Sequence, residues 1–337
     1  MQKLLIAIPL ALGFTLALAE PSEILVGVLK PSVVKVHAYN KSGGRGVGTG
    51  VVVANNLVAT SCHVIANSNG VSVTKLGTSF GPVAIKADWK HDVCLLRFAD
   101  LPLASVVLGD SETLKYEQEI FSLSFSGNAP KPLTTWGKVK ALYPMDDSQI
   151  VRTSASFKMG ASGSPVFDEA GRLVAISTVK SPGRQGYYCN VPVKWVKQLL
   201  DAPEFASIEQ ADLPFWDAPE EARPFFMRVV IPLQNEEWAD LKRIAKLWTE
   251  HEPNTVEGWY YLGLAESKQG QTSDAEAHFK QALKLHPQHP ATLYESGLMA
   301  ALQGNQGEVE KIQIALREID EELAEEFRLE IVPKKKQ

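Results

Sequence analysis

No excess of one charge sign marks this chain of 337 residues: 34 Lys and Arg stand against 39 Asp and Glu, a formal net charge of −5. That balance gives no reason to expect nucleic acid as a partner. Cysteine is scarce at three residues, so a disulfide-built small scaffold is excluded and at least one thiol has no partner within the chain. No Cys/His cluster has metal-ligand spacing, and nothing calls for a cofactor. Beyond the amino terminus no apolar run is long enough to span a bilayer. At 45% hydrophobic and 22% charged residues the composition is that of an ordinary globular protein, and the length suggests two domains.

The amino terminus reads as a secretory leader, residues 1–19. Lys3 starts it, residues 4–16 are apolar, and Ala17-Leu18-Ala19 forms a small-x-small cleavage site before Glu20. The apolar stretch of about 13 residues is short of the ~20 that cross a membrane. The reading is therefore cleavage after Ala19, a periplasmic or secreted product and no stable membrane span. The lysines at 334–336 read as a solvated end.

From about residue 24 to 192, short apolar or alternating runs (33–39, 50–53, 57–60, 71–76, 93–98, 120–123, 173–178, 187–191) are broken by Gly, Pro, Asn and Ser. This predicts an all-β unit over 20–200, a barrel or sandwich, closed by an amphipathic helix over 193–200. Residues 201–222, rich in Pro, Asp, Glu and Ala, read as a linker whose aromatics Phe205 and Trp216 dock on a neighbouring surface. From Glu236 the apolar period becomes helical. Trp259, Leu262, Gly263, Ala275, Phe279, Ala282 and Pro287 fall at the spacing of a tetratricopeptide repeat. A shift of 34 residues carries Gly263 to Gly297 and Gly270 to Gly304, so an all-α repeat domain is expected over 223–333.

Three side chains carry the chemistry. His63 ends a hairpin, 48–53 and 57–60, turned through Asn55-Asn56, and histidine suits proton transfer near neutral pH. Asp92 opens the apolar strand 93–98, where a buried carboxylate needs a donor such as an imidazole N–H. Neighbouring His91 reads as solvent-facing, and Asp88 and Asp100 as surface turn residues. Ser162 lies in Gly160-Ala161-Ser162-Gly163-Ser164-Pro165, whose glycines let the N–H groups of Gly160 and Ser162 converge into an oxyanion hole. A serine hydroxyl becomes nucleophilic when a base takes its proton and an acid orients that base. If His63 and Asp92 meet, Cys62 and Cys94 are drawn together. A disulfide and two buried thiols both fit, and with the bridge Cys189 is the free cysteine.

The order His, Asp, Ser on one β-rich segment is that of the chymotrypsin fold. Through Gly48-Thr49-Gly50-Val51, Ala59-Thr60-Ser61-Cys62-His63-Val64, Asp92-Val93-Cys94-Leu95-Leu96 and the Ser162 segment, residues 24–200 resemble a trypsin-like serine protease of the Deg/HtrA-like kind. The resemblance implies a double β-barrel with His63, Asp92 and Ser162 in the cleft between barrels, and cleavage of polypeptides through an acyl-enzyme. It departs at Ala161, where the family has Asn, and at Ser164, where it has Gly. Helical repeats stand where a PDZ-like segment usually follows. The resemblance puts the base of the specificity pocket at Ser156 and its walls near Ser177 and Thr178, which implies a neutral or apolar preference. The repeats would recruit a protein substrate or partner. The rival reading is an inactive protease-like scaffold that binds protein.

Overall fold

The computed structural model describes residues 23–39, 44–181, 187–205 and 208–331. The leader, its cleavage site at Ala19 and the lysines at 334–336 lie outside the described residues.

After a short helix, α1 (Glu23–Leu29), seven strands form the first sheet: β1 (Val33–Tyr39), β2 (Arg45–Ala54), β3 (Leu57–Thr60), β4 (Gly70–Lys75), β5 (Thr78–Phe80), β6 (Ala84–Asp88) and β7 (Val93–Arg97). Their order is β5-β4-β1-β2-β3-β7-β6, with antiparallel pairing throughout. The β2–β3 hairpin turns at Asn56, in the left-handed region at φ 59°, which asparagine tolerates better than most residues. Helix α2 (Cys62–Ile65) follows β3 directly. Val34, Val36, Val52, Val58, Val73 and Leu96 fill one face of this sheet.

Six strands close the second sheet into a barrel, β10-β13-β12-β11-β8-β9. They are β8 (Glu119–Ser124), β9 (Leu133–Met145), β10 (Ser148–Thr153), β11 (Pro165–Asp168), β12 (Leu173–Lys180) and β13 (Tyr188–Pro192). Ile120, Val139, Val151, Val166 and Val174 are buried together within it. The helix expected over 193–200 is present as α3 (Val193–Leu200), with Val193, Trp195, Val196 and Leu199 buried. Strand β9 escaped the sequence reading because Gly, Lys and Pro interrupt its alternation, and its side chains are mostly half-buried.

The remainder is helical: α4 (Phe225–Arg228), α5 (Val230–Gln234), α6 (Trp238–His251), α7 (Val256–Lys268), α8 (Thr272–Leu285), α9 (Pro290–Leu302), α10 (Gln306–Ile319) and α11 (Glu321–Ile331). Helices α7 and α8 pack closely because residue 263 is glycine. A Cβ there would lie 2.8 Å from the Phe279 ring and 3.2 Å from the Ala275 carbonyl. One repeat later Gly297 takes the same part, against Phe327 and Ile312.

The helices do not hang free of the barrels. One continuous buried cluster runs from Phe121 and Tyr143 of the second barrel through Phe226 to Trp248, Tyr261 and Phe279. Tyr143 and Phe226 stack with centroids 4.4 Å apart. The Tyr187 and Tyr261 hydroxyls are 3.0 Å apart, and Tyr116 donates to Glu257 Oε1. Burial, the larger effect, pushes the Glu257 carboxyl from its ordinary 4.5 up to about 7 against the opposing hydrogen bond from Tyr116. Nearby His289 is driven down to about 3 by burial and stays neutral.

A carboxyl whose value is raised on folding favours the native state while protonated, and that contribution is lost as pH climbs from about 4.5 to about 7. For Glu257 the loss is up to about 3 kcal/mol. Glu257→Gln keeps an acceptor for Tyr116 and removes the titration. In denaturant titrations between pH 5 and 8 the variant is expected to gain stability over wild type as pH rises. A constant difference across that window would refute this.

Candidate active site

His63 lies in the single turn of α2, which β3 delivers against β7: Thr60 pairs with Cys94 in the β3–β7 register. A disulfide joins Cys62 to Cys94, Cα atoms 5.0 Å apart, one residue before His63 and two after Asp92. Cys189 is the free, buried cysteine, and burial raises its thiol to about 12, far from reactive.

Asp92 has no exposed surface and adopts φ 59°. Its Oδ1 accepts the His63 backbone N–H at 2.8 Å, and its Oδ2 is 2.7 Å from His63 Nδ1. The Thr178 hydroxyl donates to the same Oδ2, as does the Trp216 indole N–H at 3.2 Å. These four donors replace the water that the carboxylate has lost. The pairing leaves Nε2 as the imidazole nitrogen free to accept a proton.

Ser162 is in the turn between β10 and β11, held against the first sheet. Its carbonyl accepts the Thr49 N–H at 2.8 Å. The Thr49 hydroxyl donates to Gly160 O at 2.8 Å and accepts from Phe125 N at 3.0 Å. Close approach requires two glycines. A Cβ on Gly163, at φ 86°, would lie 2.1 Å from the Thr49 carbonyl. A Cβ on Gly48 would lie 2.6 Å from Val64, the neighbour of His63, and 3.1 Å from the Ser162 carbonyl. Val64, next to His63 in the chain, and the Ser162 carbonyl thus flank one point on β2. No hydrogen bond joins them among the described residues, and Ser162 Oγ points to Thr178 O at 3.5 Å.

Gly160 takes φ 91°, and a Cβ there would lie 2.9 Å from the Phe125 carbonyl. The N–H groups of Gly160 and Ser162 have no protein acceptor among the described residues, whereas the Ala161 N–H turns away to Lys158 O at 3.0 Å. Two donors are therefore open at the serine turn. At the position where the resemblance leads one to expect glycine, the Ser164 N–H and hydroxyl both donate to Ala161 O, at 2.9 and 2.5 Å.

The residues assigned to a specificity pocket fare differently. Ser156 is exposed. Ser177 is buried and donates to Asn190 Oδ1 at 2.9 Å, and the Thr178 hydroxyl is committed to Asp92. Both hydroxyls thus donate within the protein, at a point where the β12–β13 register shifts between Ser177 and Val179. His91, read as solvent-facing, is instead largely buried. It stacks on Trp195 with centroids 3.7 Å apart and bridges Asp88, at 2.5 Å, and Asp146, at 2.7 Å. Sequence reasoning missed the anchoring by Thr49, although the Gly48-Thr49-Gly50 motif drew attention to its neighbours. It named Trp216 as a docking aromatic of the linker but gave no sign that the indole N–H reaches Asp92.

Among the described residues no group of three or more His, Cys, Asp or Glu could hold a metal ion, and no helix is long and apolar enough to cross a membrane.

Thr49→Val deletes the hydroxyl and strands the buried Gly160 carbonyl and Phe125 N–H. It is expected to cost about 2–3 kcal/mol in denaturant unfolding. A loss under about 0.5 kcal/mol would show that the hydroxyl does not anchor this turn.

Comparison with known proteins agrees with this architecture. Residues 48–176 match the family model of the trypsin-like peptidase domain, and residues 256–289 that of the tetratricopeptide repeat. The serine protease HTRA1A of Danio rerio is 28% identical over 194 residues, covering 52% of this chain and 40% of that protein. A probable periplasmic serine endoprotease, DegP-like, of Halomonas elongata is 25% identical over 166 residues, 47% of this chain and 35% of that protein. The chain therefore spans two fifths or less of the length of these relatives. Among solved structures, the active form of the Rv3671c protease of M. tuberculosis shares the fold, with a TM-score of 0.51 and 21% identity over 57% of this chain and 92% of that one. Residues 48–176 are thus a trypsin-like peptidase domain related to the HtrA and DegP serine proteases, carried on one chain with the tetratricopeptide repeat of residues 256–289.

Proposed function

We propose that the chain is an exported serine endopeptidase. Ser162 Oγ attacks the scissile carbonyl, and His63 Nε2 takes the hydroxyl proton and returns it to the leaving amine. Asp92 holds the imidazole by Nδ1 and stabilises its charged form. The open N–H groups of Gly160 and Ser162 meet the oxyanion of the tetrahedral intermediate. The observation that carries this reading is the His63 Nδ1 to Asp92 Oδ2 contact of 2.7 Å on a carboxylate with no exposed surface. An imidazole tethered by Nδ1, with a glycine-flanked serine turn bonded to the nearby strand β2, suits acyl transfer, and the similarity to HtrA and DegP proteases supports polypeptide as substrate. The leader at residues 1–19, with cleavage after Ala19, supports export. In this reading residues 20–200 form the peptidase domain, 201–222 join it to a helical module over 223–333, and that module recruits a protein substrate or partner. Helix α7 already presents Glu257 and Tyr261 to the second barrel, so a recruited protein uses another face of the module.

A fluorophosphonate reagent is expected to label the wild type and not Ser162→Ala. Cleavage of an unfolded protein substrate is expected to fall by about 10⁴-fold or more in Ser162→Ala and comparably in His63→Ala. A wild type that stays unlabelled under conditions that label trypsin would instead favour the protein-binding scaffold.

A further inference from the structure

The described residues of the segment joining the barrels to the helices are tied to the first sheet at several points. Phe205 exchanges both backbone hydrogen bonds with Ile85, at 2.7 and 2.8 Å, and so covers the outer edge of β6. Ile208 O accepts the Asn67 N–H at 3.2 Å, and Gln210 N reaches Asn67 Oδ1 at 3.1 Å. Phe215 donates its N–H to Lys90 O at 2.9 Å, two residues before Asp92. Its ring is buried in the cluster that holds Phe226 and Trp248. The next residue, Trp216, is thereby delivered to the site.

Two contacts define its place. The indole N–H reaches Asp92 Oδ2 at 3.2 Å, and the ring meets the His63 imidazole edge-on, centroids 5.3 Å apart and planes at 88°. Trp216 is half-buried and His63 retains 29% side-chain exposure, so the indole shields one side of an imidazole that stays accessible. A flat, rigid wall restricts rotation of the imidazole about χ2, while the N–H adds a charge-assisted bond to the anion that orients it.

We propose that Trp216 is a positioning residue of this site, locking Asp92 and His63 so that Nε2 faces Ser162, and that through Phe215 it ties the helical module to the acid–base pair. This rests on the reading of His63, Asp92 and Ser162 as the catalytic residues. In a peptidase so built, the packing of Phe226 and Trp248 in the helical module is felt at the imidazole through two consecutive residues.

The test uses the full chain with Trp216→Phe, which keeps a ring and removes the N–H, and Trp216→Ala. On a short chromogenic peptide, Trp216→Phe is expected to lower kcat about tenfold with KM unchanged, the scale of one hydrogen bond to a charged group expressed in the transition state. Trp216→Ala is expected to lower it further. The downfield proton resonance of His63 Nδ1–H is expected to shift in Trp216→Phe by more than the exchange of ring currents accounts for, a change that a merely structural loss in a still-folded variant would not produce. A rise in kcat/KM for Trp216→Ala would identify a plug over the cleft and overturn the proposal. Wild-type kcat with an unshifted resonance in Trp216→Phe would overturn it equally. The resonance needs no turnover, so a shift in a chain that cleaves nothing would sustain the positioning role while refuting the peptidase reading.

Discussion

A carboxylate removed from water governs this molecule. Asp92 has no exposed surface, and an uncompensated buried charge costs several kcal/mol. Its two oxygens are satisfied by four donors from three separate stretches of chain: the N–H and Nδ1 of His63, the hydroxyl of Thr178 in β12, and the indole of Trp216. Each donor that stabilises the anion also fixes the element that carries it. Satisfying one charge therefore brings α2, the second barrel and the connecting segment to a common point.

The cleft between the two sheets is held by polar contacts of the same kind. Thr49 of β2 binds the Ser162 turn through its N–H and its hydroxyl, and the Ser61 hydroxyl donates to Ser177 O at 3.0 Å. These groups are buried, so their bonds can break only by stranding a partner, which makes the relative placement of His63 and Ser162 stiff. The glycines at 48 and 163 are part of this arrangement: without a Cβ, the β2 backbone and the serine turn can touch. The Cys62–Cys94 disulfide adds a covalent tie between the segments carrying His63 and Asp92.

The helical module shares this rigidity. Aromatic stacking of Tyr143 on Phe226 and the buried Tyr116–Glu257 bond join it to the second barrel. Trp216 extends the connection to the site itself. A tetratricopeptide repeat that spends one face on its own peptidase domain is a structural partner first, and any recruitment it performs falls to its remaining faces.

Much of this was legible in the chain. Alternation located most strands and the helix at 193–200, because a half-buried strand repeats every two residues whatever it packs against. The spacing from Trp259 to Pro287 located the repeat, because two helices approach closely only where glycine and alanine face each other. His63, Asp92 and Ser162 stood out by their glycine, apolar and cysteine neighbours. Strand β9, the burial of His91 and the engagement of Ser177 and Thr178 were not legible, since each depends on which distant groups arrive. Sequence alone thus settled what is periodic or local: element types, a serine in a glycine-flanked turn, cysteines beside an acid and a histidine. Tertiary structure decided which donors meet at Asp92, that the second barrel and the helices share one core, and that an indole from an apparent linker abuts the imidazole. Those outcomes follow from desolvating specific groups together, and no local pattern encodes the partner that a buried polar atom will find.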